Sequence, residues 1–215
     1  MDFLTNCRLC PRLVQYRENI SPKEKYQNQI YSRKPVPGFG DIHGRLFVLG
    51  LAPSSHGGNR TGRIFTGDDT GRFLFPILFE EGFANQSYSE SLADNLLLSD
   101  CYLTTAVKCA PPKDRPTPEE FSCCSPFWWQ ELQSLQQVEA VLLFGHLSFT
   151  VLQKELKRRK YLQNTLPFVH GKSYKIPSFP KVYLCYHPSP RNTLTGKLTK
   201  EMLKNVLQEI KCNFS

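Results

Sequence analysis

Four short segments of the chain consist almost entirely of apolar or β-branched residues, and glycine, proline or polar residues bound each of them. Short continuous apolar runs of this kind are typical of β-strands that are buried on both faces. The sequence therefore predicts buried strands at residues 45–50, 102–107, 140–145 and 181–187.

Helical spacing of apolar residues appears between and after these strands. It predicts helices at residues 71–81, 117–137, 147–161 and 199–211. The second helix begins with Thr-Pro-Glu-Glu, a capping pattern with proline at the first helical position. Strands that alternate with helices predict an α/β fold, in which a mostly parallel sheet carries helices on both faces.

Ligands of such sheets bind beyond the carboxyl ends of the strands, so the segments that follow the predicted strands are the candidate sites. The first of them, residues 50–71, contains six glycines together with histidine, arginine, asparagine and aspartate. A long loop of mixed chemistry is usually functional, and its glycines allow the backbone to approach a ligand closely. It contains neither the Gly-Lys-Ser/Thr of a P-loop nor a GxGxxG fingerprint.

The overall composition narrows the classes of protein. The 215 residues include 27 lysines and arginines against 19 aspartates and glutamates, a net charge of +8, which favours a polyanionic partner such as nucleic acid. No apolar run is long enough to span a membrane, and the first residues lack the layout of a signal peptide. We therefore expect a cytoplasmic protein and exclude a membrane protein or a small secreted disulfide scaffold.

Eight cysteines are many for a chain from a reducing compartment, where a disulfide framework is not expected. Cys7 and Cys10 form a C-x2-C pair, and Cys109, Cys123 and Cys124 lie in a second strand–loop–helix unit. Four thiolates from these positions would suit zinc or an iron–sulfur cluster, and the spacing alone does not choose between them. The other three cysteines, Cys101, Cys185 and Cys212, are interpreted as bystander thiols.

Four blocks give the chain a specific resemblance. They are CRLC at 7–10, GLAPSSHGGNRTGRIFTGD at 50–68, VKCAPPKDRPTPEEFSCC at 107–124 and HPSPRN at 187–192. In this order they resemble the uracil-DNA glycosylase superfamily, and most closely its family 5 (type b). The resemblance implies a single α/β/α domain over residues 1–215 with a central four-stranded, mostly parallel sheet. It also implies a [4Fe-4S] cluster, to which residues 1–44 contribute ligands. Its ligands by position would be Cys7, Cys10, Cys109 and Cys124, with Cys124 favoured over Cys123.

The resemblance also implies roles for individual residues. The damaged base is flipped out of the helix into a pocket. Phe65 would stack on that base, and His187 would donate a hydrogen bond to uracil O2, where charge builds up as the glycosidic bond breaks. The backbone at Gly50, Leu51 and Ala52 would line the pocket. The loop with Ser189, Arg191 and Asn192 would press into the minor groove.

Two positions depart from the common pattern of the superfamily. Leu51 and Ala52 stand where most members carry a polar or acidic residue that activates water. Asn59 is then our first candidate for positioning water. Asp68 and Asp69 are the alternatives, with helix capping as a competing interpretation, especially for Asp69. Thr105 stands near the position of an asparagine that reads the base edge. A single hydroxyl predicts looser discrimination, so hypoxanthine is an expected additional substrate.

Basic residues beside the two loops are expected to contact DNA phosphates: Arg60, Arg63, Arg191, Lys197 and Lys200. The expected function is a monofunctional, monomeric glycosylase that acts on lesion-containing duplex DNA, with single-stranded DNA as a further substrate form, and leaves an abasic site. One alternative is a non-catalytic iron–sulfur or zinc protein that binds damaged DNA. Another is an enzyme that captures its abasic product covalently through His56.

Overall fold

The computed structural model describes residues 2–214. Within them a single sheet contains six strands in the order β1-β3-β2-β4-β6-β5. The strands are β1 (Phe39–Gly40), β2 (Leu46–Gly50), β3 (Cys101–Thr105), β4 (Ala140–Phe144), β5 (Ser173–Ile176) and β6 (Phe179–Cys185). The four central strands, β3, β2, β4 and β6, are parallel, and they are the four strands that the apolar runs predict.

Two short edge strands were not predicted from the sequence. β1 pairs antiparallel with β3, and β5 pairs antiparallel with β6. β1 has only two residues and β5 is mostly half-buried or exposed, so neither forms a continuous apolar run. In contrast, every residue of β2, β3 and β4 is buried. Hydrophobic patterning therefore identifies the centre of the sheet and misses its edges.

The helices are α1 (Asp2–Thr5), α2 (Pro11–Glu18), α3 (Gly58–Thr61), α4 (Asp69–Glu80), α5 (Pro118–Ser134), α6 (His146–Arg158), α7 (Pro190–Thr193) and α8 (Lys200–Cys212). The four predicted helices correspond to α4, α5, α6 and α8. The capping pattern of α5 is confirmed: the Thr117 hydroxyl accepts a hydrogen bond from the Glu120 amide, and the Glu120 carboxylate accepts one from the Thr117 amide. The sequence prediction missed α2, which packs on the carboxyl side of the sheet.

Alternate residues of each strand point to opposite faces of the sheet and build two separate cores. Leu46 and Val48 of β2 pack with apolar residues of α4 and α8, whereas Phe47 and Leu49 pack with those of α5 and α6. The result is the predicted three-layer α/β/α arrangement. No helix in the described part of the chain is long and apolar enough to cross a membrane.

Candidate base-binding site at the carboxyl ends of the strands

The parallel strands end together at one edge of the sheet. Four of the predicted site residues lie at this edge: Gly50, Phe65, Thr105 and His187. A Cβ atom added to Gly50 would lie 2.7 Å from Cζ of Phe65 and 3.4 Å from Cγ2 of Thr105. The ring of Phe65 meets that of Phe144 edge to face at 6.1 Å, and Phe144 meets His187 in the same way at 6.5 Å. Glycine at position 50 is therefore required for Phe65 to close over the strand end.

Phe65 has an unusual backbone conformation. Its φ of +54° lies in the left-handed region, which residues other than glycine rarely adopt, and its side chain is buried. Such strain costs on the order of 1–3 kcal/mol and persists only where the surrounding structure imposes it. The loop therefore presents this ring to the strand ends at the expense of some stability.

His187 directly follows β6 and packs against Gly145 at the end of β4. A Cβ atom at Gly145 would lie 3.2 Å from that of His187. Burial lowers the pKa of His187 to about 4, so the imidazole is uncharged near neutral pH. The side-chain amide of Asn192 donates a hydrogen bond of 2.8 Å to the His187 carbonyl oxygen. His187 can therefore offer a neutral N–H donor from a fixed position.

Thr105 ends β3 and is fully buried. Within residues 2–214 its hydroxyl oxygen has no hydrogen-bond partner. An unsatisfied buried hydroxyl is costly, and a ligand that supplies the missing partner would recover that cost. Leu51 and Ala52, which follow Gly50, are half-buried, and the Leu51 carbonyl accepts a hydrogen bond from the Val107 amide.

Asn59 lies within residues 50–71, which we call the glycine-rich loop, and one side of its amide is anchored by the protein. Asn59 lies in α3, is fully buried, and its side-chain amide donates a hydrogen bond of 3.2 Å to the Arg17 carbonyl oxygen. Among the described contacts none joins Asn59 to Phe65 or His187. The structure thus gives this side chain a role in holding the loop against α2.

The two aspartates at the end of the glycine-rich loop have different roles from those that the sequence favoured. Asp68, and not Asp69, caps α4, because its carboxylate accepts a hydrogen bond from the Gly71 amide. It also accepts one of 2.5 Å from the Ser54 hydroxyl, and burial raises its pKa. Asp69 is exposed and pairs with Arg72. The Ser54–Asp68 bond closes the loop, a contact that the sequence prediction missed.

The sequence predicts that Arg60 and Arg63 contact DNA, but both side chains are buried and bind groups of the protein. The Arg63 guanidinium forms a salt bridge of 2.6 Å with Asp94. The Arg60 guanidinium donates hydrogen bonds to the carbonyl oxygens of His56 and Gly67. Arg60 thus satisfies two backbone carbonyls of the glycine-rich loop from inside, whereas Arg63 binds the side chains of Thr66, Ser89 and Asp94.

His56 is half-buried and is held by the N-terminal part of the chain. Its Nδ1 atom shares a hydrogen bond of 2.9 Å with the Tyr31 hydroxyl. Burial and the nearby charges of Lys23 and Arg60 lower the pKa of His56. The imidazole is thus neutral and engaged with Tyr31, an arrangement that favours a structural role.

Residues 187–198, which we call the histidine loop, expose most of their side chains between Arg191 and Lys197. Ser189 precedes α7 as its N-cap, and Arg191 within α7 is exposed. Leu194, at the end of α7, is 86% exposed, an unusual environment for a large apolar side chain. Lys197 is exposed and lies over the Tyr186 ring at 4.8 Å. Leu194 was missed because exposure cannot be read from one leucine in a polar segment.

The cysteines that the sequence groups together are also neighbours in the structure. Cys109 and Cys124 are buried beside Leu13, with Cys10 against them. Hydrogen bonding to the Cys124 thiol and burial raise the pKa of Cys10, and burial raises the pKa of Cys109 to about 12. Cys123 is exposed whereas Cys124 is buried, and Cys10 lies within hydrogen-bond reach of both thiols.

The donor set suits a soft metal or an iron–sulfur cluster, because it consists of thiols. Within the described residues, however, no group of three or more His, Cys, Asp or Glu side chains is arranged to hold a metal ion. The cluster therefore remains a prediction. Cys101, Cys185 and Cys212 lie in β3, β6 and α8, apart from this set.

Comparison with known proteins places this arrangement in a family. Residues 37–211 match the model of the uracil DNA glycosylase superfamily. A type-5 uracil-DNA glycosylase of Thermus thermophilus is 45% identical over 97% of this chain and 94% of its own length. One from Pyrobaculum aerophilum is 44% identical over 95% of this chain and 88% of its own length. A type-4 uracil-DNA glycosylase of the same organism is 28% identical over 94% of this chain and 88% of its own length.

Identity of this extent confirms the resemblance that the four sequence blocks indicate, and the chain belongs to the uracil DNA glycosylase superfamily, in its type-5 group.

Proposed function

We propose that this protein is a monofunctional uracil-DNA glycosylase that hydrolyses the N-glycosidic bond of uracil in DNA and leaves an abasic site for base excision repair. The observation that carries the proposal is the arrangement at the carboxyl edge of the sheet, where Phe65 lies against Gly50 and is linked to His187 through the ring of Phe144. Relatives at 44–45% identity over most of the chain bear the same activity in their names.

The chemistry follows from the protonation state of His187. As the bond between the base and C1′ of the sugar breaks, negative charge develops on the base oxygens. A neutral imidazole N–H that is already desolvated can stabilise this charge without reorganisation. The oxygen of a water molecule then bonds to C1′, and the proton of that water ends on the released base. Phe65 would stack on the base and hold it beside His187.

Thr105 offers the base a single hydroxyl, which can act either as a donor or as an acceptor. Because this hydroxyl has no partner among the described residues, it is free to pair with different base edges. We therefore propose hypoxanthine as a second substrate.

The histidine loop supplies the DNA contacts that the glycine-rich loop does not. Leu194 is positioned to fill the space that a flipped base leaves, since it is apolar and nearly fully exposed. Arg191, Lys197 and Lys200 are exposed cations beside it and would contact phosphates. We propose that the protein acts as a monomer on duplex DNA that contains a lesion, and on single-stranded DNA.

We propose that Cys7, Cys10, Cys109 and Cys124 hold a [4Fe-4S] cluster. Neutral thiols packed together stabilise little, whereas four thiolate bonds to a metal centre contribute directly to folding. Such a cluster would cross-link the N-terminal segment to α5. No step of the hydrolysis needs it.

An excision assay tests the proposal. An end-labelled duplex with one U·G pair is incubated with the protein and then treated with alkali, and a parallel duplex carries hypoxanthine. Breaks that appear only after alkali are expected. His187→Ala should lower the rate by about 10²–10³-fold with DNA affinity nearly unchanged. His146→Ala, which changes an exposed histidine at the same sheet edge, is the control. Binding without any excision by iron-filled protein would support the damage-binding alternative instead.

A further inference from the structure

Helix α2 lies between the cysteines and the glycine-rich loop. It begins directly after Cys10, and two of its residues hold the loop. The Tyr16 hydroxyl shares a hydrogen bond of 3.1 Å with the Ser55 hydroxyl. The carbonyl oxygen of Arg17 accepts the hydrogen bond of 3.2 Å from the Asn59 side chain. The loop that carries Phe65 is thus fastened to the helix that follows the C-x2-C pair.

The side chain of Arg17 links α2 to the segment that contains Cys7. It is 3% exposed, and its guanidinium donates hydrogen bonds to the carbonyl oxygens of Cys7, at 3.2 Å, and Arg33, at 3.0 Å. The Arg33 amide donates in turn to the Asn59 carbonyl oxygen at 3.0 Å. Arg17, Arg33 and Asn59 therefore form a closed ring of contacts, and Cys7 is joined to this ring through the Arg17 side chain.

Helix α2 is also fixed to α5, which carries Cys123 and Cys124. Two nitrogens of the Arg12 guanidinium donate to the two carboxylate oxygens of Glu120, at 2.8 and 2.6 Å. A bidentate pair of this kind defines orientation as well as distance. The position of α2 therefore depends on how closely the N-terminal cysteines and α5 are held together.

We infer that α2 transmits the state of the cysteine site to the base pocket, with Arg17 and Asn59 as positioning residues. This inference rests on the proposed cluster. We call the hydrogen bonds from the Asn59 side chain to the Arg17 carbonyl oxygen and between the Tyr16 and Ser55 hydroxyls the clasp. When the four thiols bind the cluster, α2 is fixed against α5, and the clasp holds the glycine-rich loop in the conformation that presents Phe65. When the site is empty, the clasp alone does not keep the loop in place.

Hydrogen exchange on the full-length protein tests this coupling. Amide exchange of residues 55–62 is compared between iron-filled protein and protein stripped by a chelator under reducing conditions, with iron quantified per chain. In the unaltered protein, removal of iron should accelerate exchange by about tenfold, the effect of losing one or two hydrogen bonds.

Asn59→Leu keeps the branched shape of the side chain and removes its hydrogen bond. The loop of this variant should exchange about tenfold faster even when its iron content is normal, and removal of iron should add little. The excision rate at saturating DNA should fall with it. Tyr16→Phe is a milder change with the same expected direction, and it remains informative if Asn59→Leu does not fold. Gln15→Met, an exposed change on the same helix, should behave like the unaltered protein.

The outcomes separate the coupling from the cluster. Equal acceleration on iron removal in the unaltered protein and in both clasp variants would overturn the coupling while leaving the cluster in place. If residues 55–62 exchange as slowly in iron-filled Asn59→Leu and Tyr16→Phe as in the unaltered protein, the coupling is also overturned and the cluster remains. Absence of iron from anaerobically purified protein would overturn the cluster, and the coupling with it, in the iron assay itself.

Discussion

The two loops at the carboxyl edge of the sheet use arginine in opposite ways. In the glycine-rich loop, Arg60 and Arg63 are buried and bind carbonyl and carboxylate groups of the protein. In the histidine loop, Arg191 is exposed and Leu194 beside it is almost fully exposed. The first loop needs internal donors because it is long and rich in glycine, whereas the second is short and already rigid through its prolines. A basic residue near a nucleic-acid site is therefore not by itself a phosphate contact.

The comparison predicts the largest loss of stability from Arg63→Met. This change leaves the Asp94 carboxylate buried and without its cation, and removing one partner of a buried ion pair costs about 3–5 kcal/mol. Urea unfolding measures the loss. Arg191→Met is the matched control and should change the free energy of unfolding by no more than about 0.5 kcal/mol. Similar losses in the two variants would contradict the distinction between the loops.

Asp68→Ala should be the next largest effect, because it removes both the cap of α4 and the bond to Ser54. Loss of such a cap costs about 0.5–2 kcal/mol of stability. Asp69→Ala removes only an exposed ion pair and should cost a few tenths of a kcal/mol at most. Thermal unfolding of the two variants decides which aspartate is structural, and a greater loss in Asp69→Ala would reverse our assignment.

The histidine loop should make stability depend on pH. The pKa of His187 is about 4 in the folded protein and about 6.5 in an unfolded chain, so between these values the unfolded state binds more protons. Stability is therefore complete above pH 6.5 and falls as the pH drops toward 4, by at most about 1.4 kcal/mol per pH unit.

Urea unfolding at several pH values measures this slope, which should be smaller in His187→Gln. The histidines that remain in the variant, including His56 and His170, account for the residual slope, since burial lowers their pKa values as well. An identical slope in both proteins would show that His187 is not titrated in this range.

The smallest effect concerns DNA binding by the exposed arginine. Arg191→Gln should weaken binding to all sequences alike and reduce the slope of log affinity against log salt concentration by about 0.9. Fluorescence anisotropy with a labelled duplex at several salt concentrations measures it. Lys175→Gln, in the edge strand β5, should leave the slope unchanged. An unchanged slope in Arg191→Gln would remove this residue from the DNA interface.

Sequence reasoning was most successful where one chemical property decides the structure. The central strands are continuous apolar runs because both faces of a parallel sheet are covered, so each could be recognised alone. His187 was found from its place after a predicted strand, and Thr117 from a capping pattern within one turn. Reasoning failed for β1 and α2, which are short and are held by partners distant in the chain, and for β5, a short edge strand that is mostly half-buried or exposed.

The sequence by itself determined the fold class, the order of the four central strands and the four long helices, and the family, since these depend on local patterns and on blocks of matching residues. The tertiary structure alone decided which polar side chains face inward. The Arg63 guanidinium pairs with the Asp94 carboxylate. The Asn59 side-chain amide donates to the carbonyl oxygen of Arg17, 42 residues away in the chain. Such partners are chosen by packing across the fold, because a buried polar group must be satisfied by whichever partner the neighbouring segment brings within reach.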